Sequence, residues 1–289
     1  MQSNNPVFRR SEEFHRSGAN AYGNQYAGNG ASYQGYGSDP STWGTGEPGS
    51  GSVETPARPG APMTIDSVVQ KTAISLGIVF VAAFATWILT PDISTDADLG
   101  PLFAALTIGS LGAFALSMVN SFKRVISPAL VIAFAVLEGV AMGAFSKVID
   151  ASVAQDSNIV VQAVIGTFAA FAGTLAAYKY LNIKVGNKFR TFVTAAMFGM
   201  VALALMEIVL GLFSSQLGLF GFGPLGLLMA VAGLVLGIFM LILDFDFVEQ
   251  GVANRLPERE SWRAAFAMTV TLVWIYTNLL RILAILNQD

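Results

Sequence analysis

Seven long apolar runs alternate with short polar segments along most of the chain, at roughly 72–90, 100–119, 128–146, 159–178, 191–213, 222–245 and 263–286. At about 1.5 Å of helical rise per residue, each is long enough to cross a hydrocarbon core of about 30 Å. Helices are the open-chain solution in lipid, because every backbone N–H must find its acceptor within the segment. Breakers punctuate the pattern: Pro91 follows the first run, Pro128 opens the third, and Gly223-Pro224 opens the sixth. The pattern predicts an all-α membrane protein with seven transmembrane helices. Gly139 with Gly143, and Gly233 with Gly237, make small-xxx-small faces that let helix backbones approach closely in lipid. The third and sixth spans are therefore expected at inner contacts.

The first 62 residues break the pattern. They hold 11 of the 29 glycines and 6 of the 11 prolines, with Tyr22, Tyr26, Tyr33 and Tyr36 set among Gly, Asn, Gln and Ser. Such a segment buries too little apolar surface to offset its ordering entropy. The expected organisation is a disordered Gly/Tyr/Pro-rich tail over 1–62 and a transmembrane domain over 63–289. The tail is either a solvated tether or a docking segment. Met1 to Arg16 is polar and lacks the apolar stretch of a secretory signal, so insertion is expected to rest on the first span.

Charge supplies the orientation. The tail with Lys71 carries five basic residues. Loop 2–3 carries Lys123 and Arg124, loop 4–5 carries Lys179, Lys184, Lys188 and Arg190, and loop 6–7 carries Arg255, Arg259 and Arg263. These are fourteen of the sixteen Lys and Arg; the opposite loops hold only Lys147, and Arg281 lies within the last span. By the positive-inside rule the N-terminus is cytoplasmic and the C-terminus outside, in a cell (plasma) membrane. The outer side is acidic, with Asp92, Asp96, Asp98, Asp150, Asp156 and Asp289. An acidic mouth concentrates cations.

Composition excludes several chemistries. Only 12% of residues are charged, about half the fraction of a soluble domain. The net charge of -3 is too small to imply a nucleic-acid partner. There is no cysteine, and the single histidine, His15, lies in the tail, so thiolate sites, His-based zinc sites and Ser-His-Asp chemistry are absent from the membrane part. Gly109-Ser110-Leu111-Gly112 is misordered for an intramembrane serine protease. Asp244 lacks the glycines and the partner of an aspartyl one. No enzyme activity and no cofactor are expected.

The candidate chemistry is carried by ionisable residues in the spans, where each charge is costly and faces the bundle interior or water. Glu138 is near the middle of the third span. Glu207 lies about 22 Å along the fifth and Arg281 about 26 Å along the seventh, so the two are at similar depth near the outer boundary. An ion pair between them is expected. Asp244 and Asp246 end the sixth span; two residues apart, they point to nearly opposite helix faces. Asp246, Glu249 and Gln250 share a face. Carboxylates clustered in a partly dry site raise one another's pKa, which is how a carboxylate becomes a pH sensor.

Several segments carry a family resemblance: Met63-Thr64-Ile65-Asp66 with Val69-Gln70-Lys71-Thr72, Leu137-Glu138-Gly139-Val140, Leu241-Ile242-Leu243-Asp244-Phe245-Asp246-Phe247, and Thr269 to Tyr276 leading to Leu279-Leu280-Arg281. From Lys71 to its end the chain resembles the Bax inhibitor (transmembrane Bax inhibitor motif) family, in the form carried by actinobacteria. Asn5-Pro6-Val7-Phe8-Arg9-Arg10 also resembles that subgroup. The resemblance implies a seven-helix fold whose last helix is surrounded by the other six. It implies a cation leak pathway, chiefly for calcium, gated by protonation of two aspartates. One of these matches Asp244 or Asp246, with transient calcium nearby. The other belongs in the first half of the seventh helix, near Thr271, where this chain has no acid. Arg281 matches the family's arginine.

Two functions from different classes are therefore carried forward. The first is a cation (calcium) leak channel influenced by pH, with Glu138, Glu207 and Asp244 or Asp246 supplying acids at successive depths and Arg281 beside them. The second is a non-conducting membrane regulator of proteolysis or stress responses, which needs only a stable bundle and a docking segment. The implied partners are the lipid bilayer, calcium or other cations and, for the second function, a membrane protease or other membrane protein.

Overall fold

A computed structural model describes residues 61–91, 93, 99–153, 158–213 and 217–288. The chain divides into two units, Met1–Glu54 and Thr55–Asp289. The tail and its four tyrosines lie outside the described residues, apart from Ala61 and Pro62. So do Asp92, Asp96, Asp98, Asp156 and Asp289 of the acidic mouth; Asp150 closes the third helix.

Seven helices follow in order: α1 (Ile65–Leu89), α2 (Leu99–Phe122), α3 (Pro128–Ala151), α4 (Ile159–Tyr180), α5 (Asn187–Leu212), α6 (Pro224–Ala253) and α7 (Glu260–Leu286). All seven are long and apolar enough to cross a membrane. Each expected span has its helix, and the helices overrun the apolar runs. α1 starts at Ile65 because Thr64 and Ser67 form a reciprocal capping box there. Pro128 and Pro224 occupy the first turns of α3 and α6, where a missing N–H costs nothing. α6 is the largest departure. It continues to Ala253, so Asp244 and Asp246 lie two turns or more inside a helix and not at its end.

The last helix is the axis of the bundle. Half of its apolar window is buried, against 11% for α5. It packs directly on α1, α3, α4 and α6. It reaches α2 through Phe266 and Val270, which join Ala113 and Phe134 in one apolar cluster. It reaches α5 through Trp274, in a cluster with Val193 and Met200. The two glycine faces lie at inner contacts as expected. Gly139 and Gly143 meet the α1 backbone at Val79 and Ala83, and Gly233 and Gly237 meet Asn278 and Ile275 of α7.

At the end where α1 begins, the chain is tied to the α6–α7 turn. Met63 N–H donates to Leu256 O (2.7 Å) and Glu258 N–H donates to Ala61 O (2.8 Å). Lys71 Nζ pairs with Glu258 Oε1 at 2.9 Å, and the Ser67 and Ser261 hydroxyls meet at 2.7 Å. At the other end Lys147, buried, donates to the Trp87 and Thr90 carbonyls that finish α1 (2.9 and 2.8 Å). Carbonyls at a helix C-terminus lack intrahelical donors and favour a cation. This gives the one basic residue of the acidic side a structural task.

Candidate functional site

Three acids near the end of α6 face three different neighbours. On a helix turning 100° per residue, steps of two and then three positions spread Asp244, Asp246 and Glu249 around the axis. Asp244 Oδ2 accepts a hydrogen bond from Thr271 Oγ1 of α7 at 2.7 Å. Asp246 Oδ2 accepts from Arg190 Nη2 of α5 at 2.7 Å and from Gln250 Nε2 at 2.8 Å. Glu249 Oε2 accepts from the Tyr178 hydroxyl of α4 at 2.5 Å. The end of α6 is thus fastened to α4, α5 and α7 by separate polar contacts.

Asp244 and Asp246 diverge, as their spacing requires. Asp246 and Glu249 each take a donor from a different neighbouring helix, Arg190 of α5 and Tyr178 of α4. Gln250 does reach Asp246, as the i, i+4 spacing allows. Asp246 is buried and holds an ion pair whose arginine side chain is 50% exposed. Asp244 is only partly buried by area, and its partner is a neutral hydroxyl.

Thr271 was recognisable in the sequence only as a place without an acid. It is 2% exposed on the central helix, and its hydroxyl faces Asp244. A carboxylate and a threonine therefore meet at the α6–α7 contact. A hydroxyl donates readily to a carboxylate and does not compete with it for a proton.

Glu207 and Arg281 do not pair with each other; both hold one loop. The Glu207 carboxylate accepts from the backbone N–H groups of Leu217, Gly218 and Leu219, at 3.3, 2.7 and 3.2 Å. Arg281 Nη2 lies 3.5 Å from the Leu219 carbonyl oxygen and 3.4 Å from that of Gly221, and its guanidinium sits 5.4 Å from the Phe220 ring centre. Depth along a helix brought the two residues to one level, but the loop before α6 folds in between and meets each charge with the matching end of its peptide dipoles. Gly218, at φ +74°, supplies the left-handed turn that points three N–H groups at one carboxylate.

Glu138 stands apart from both clusters. It lines a cleft of about 380 Å³ with Ser110, Ser117, Phe134 and Val270, between α2, α3 and α7. Among the described residues it has no hydrogen-bond or ion-pair partner. Neither is there any group of three or more His, Cys, Asp or Glu side chains arranged to hold a metal ion.

A family model described as Bax inhibitor 1 like matches residues 5–288. It takes in the polar tail as well as all seven helices. No curated protein matches the chain.

Proposed function

The chain belongs to the Bax inhibitor 1-like family, and on that premise we propose that this multi-pass membrane protein is a cation leak pathway, chiefly for calcium, with Asp244 as its control point. The observation that carries the proposal is the contact of Asp244 with Thr271 on the central helix. A carboxylate deep in a bilayer is costly and is retained where it faces water, an ion or a fixed partner. Here the partner is a single neutral hydroxyl, which leaves the negative charge uncompensated and open to a passing cation. Asp246 is different, because Arg190 already neutralises it. Passage would require α6 and α7 to part at this contact, with Asp244 exchanging the threonine hydroxyl for the ion.

With threonine where the family has its second aspartate, the response to pH should follow one carboxylate. Protonation at Asp244 removes the charge that attracts the cation, so flux falls toward acid with the slope of a single proton. The protein is proposed to sit in a bacterial cell membrane with its N-terminus cytoplasmic, and to have no enzyme activity and no cofactor.

Calcium flux in proteoliposomes tests this from about pH 4 to about pH 8, a window that takes in the range over which protein carboxylates titrate. Wild type should conduct, Asp244→Asn should change the flux and flatten its pH dependence, and Asp246→Asn should do less. Wild-type flux equal to that of empty liposomes would sink the channel reading. Equal flux in wild type and Asp244→Asn would sink the control point.

One feature favours a second reading. The end of α6 is fastened to three helices by polar contacts, as suits a bundle that does not open. In that case the protein is a non-conducting regulator of membrane proteolysis or stress responses, acting through its tail on another membrane protein. Absent flux, with a membrane protease recovered by crosslinking to the tail, is the outcome it requires.

A further inference from the structure

We propose that a hydrated polar track runs along α2 from its end at Phe122 to Glu138, and that Glu138 holds a small inorganic cation at the head of it. Four side chains carry the inference. Glu138 is ten residues from the start of α3, or about 15 Å into the span. Counted back from Phe122, Asn120, Ser117 and Ser110 lie about 3, 8 and 18 Å deep on α2. At 100° per residue, Ser110 and Ser117 differ by about 20° around the helix, and Asn120 by about 60° more. Ser110, which is exposed, and Ser117 line the same cleft as Glu138, with Ala113 and Phe114 between them, and Asn120 lies beyond the cleft toward the helix end.

The stripe has unmet hydrogen bonds, as does Ser75 of α1, whose buried hydroxyl is also unpaired. Ser and Thr in membrane helices usually donate to the carbonyl four residues back. Thr86, Ser146, Thr167 and Thr269 of this chain all do so. Among the described residues, the hydroxyls of Ser110 and Ser117 have no such partner. Asn120 is 1% exposed, and neither atom of its amide is hydrogen-bonded within the protein. A buried amide left unpaired is costly, and the usual remedy is a bound water. Four polar groups on one path, all lacking protein partners, point to water and to what water carries.

The chemistry of the donors selects the ligand class. The cleft offers one carboxylate and two hydroxyls, all hard oxygen ligands, with no sulfur or imidazole. Such a set suits hard cations of the calcium, magnesium or alkali type. Among the described residues no basic side chain pairs with Glu138, so the carboxylate attracts a cation from outside. The apolar flank of Phe134 and Val270 belongs to the α7 contact and closes the site against the central helix. The inference does not rest on passage at Asp244: the track can bind a cation whether or not α6 and α7 ever part.

The absence of cysteine makes the test direct, because any introduced thiol is the only one present. The variants Asn120→Cys, Ser117→Cys and Ser110→Cys would be made singly in the full chain and treated in liposomes with cationic and anionic methanethiosulfonates. Leu111→Cys is the reference, since Leu111 is 64% exposed on the same helix and faces away from the stripe. Ser117→Cys should react at least about tenfold faster than Leu111→Cys, and about tenfold faster with the cationic reagent than with the anionic one, as a focused negative site requires. Adding Glu138→Gln should bring the two reagents to similar rates. In the otherwise unaltered protein, about millimolar calcium should slow cationic labelling of Ser117→Cys. Ser117→Cys as inert as Leu111→Cys would mean a dry cleft and overturn the track. A cationic preference that survives Glu138→Gln, or labelling indifferent to calcium, would overturn the site.

Discussion

Thr271 donates its hydroxyl proton to Asp244 across the α6–α7 contact, with the two oxygens 2.7 Å apart. One hydroxyl thus joins the central helix to the helix that carries all three clustered acids. Replacing it separates two roles. Thr271→Val keeps the shape and removes the donor. It should lower stability in detergent by about 1 kcal/mol, the scale of an interhelical hydrogen bond in a membrane. Thr271→Asp should restore a carboxylate pair, and two close carboxylates cannot both ionise cheaply. The pH dependence of flux should then become steeper than in wild type. A slope equal to that of wild type would show that Asp244 does not control passage.

Glu207 and Arg281 should behave as two ends of one clamp. Hydrogen exchange at residues 217–221 is the direct measure, since Glu207 accepts from three N–H groups there. Glu207→Gln should speed exchange at Gly218 and Leu219, and Arg281→Gln should speed it across the loop. The double variant should exchange little faster than the worse single one, because the loop is already released. Additive effects would mean that the two side chains hold separate structures.

The glycine at 143 should tolerate no side chain. A Cβ there would collide with the Ala83 carbonyl oxygen, which is backbone and cannot swing aside. Gly143→Ala should destabilise by about 1–3 kcal/mol, as overpacking does. Gly173→Ala, with nothing within 4 Å of the added carbon, should be neutral or slightly stabilising. Thermal unfolding of the two variants in detergent compares them, and equal Tm values would contradict the tight α1–α3 contact.

An odd number of crossings puts the two termini on opposite sides. A reporter that functions only in the cytoplasm should be silent when fused after Asp289. Strong activity from that fusion would require an even number of spans or the opposite orientation.

Element count and order were readable because a membrane helix announces itself by length and apolarity; Pro128 marked one start to the residue, and Gly223-Pro224 marked another to within two. The ends were less readable. α6 runs on through Asp244, Asp246 and Glu249 because its backbone hydrogen bonds do not depend on the side chains being apolar. The divergence of Asp244 and Asp246 followed from helical geometry alone. The supposed pair of Glu207 and Arg281 failed for a definite reason. Counting residues gives depth, one coordinate of three, and says nothing of a loop that returns into the bundle between them. Lys147 was counted only as a charge on the outer side; its bonds to the Trp87 and Thr90 carbonyls depend on how α3 packs against the end of α1, which an apolar run does not give.

The tie between the segment ahead of α1 and the α6–α7 turn has a mechanical meaning. A pull on the chain at Ala61 is borne first by the backbone bonds to Leu256 and Glu258 and by the Lys71–Glu258 ion pair. Those contacts sit at the root of α7, so tension is divided between the first helix and the last before it reaches any lipid-facing surface. Whatever grips the polar tail has a lever on the axis of the bundle.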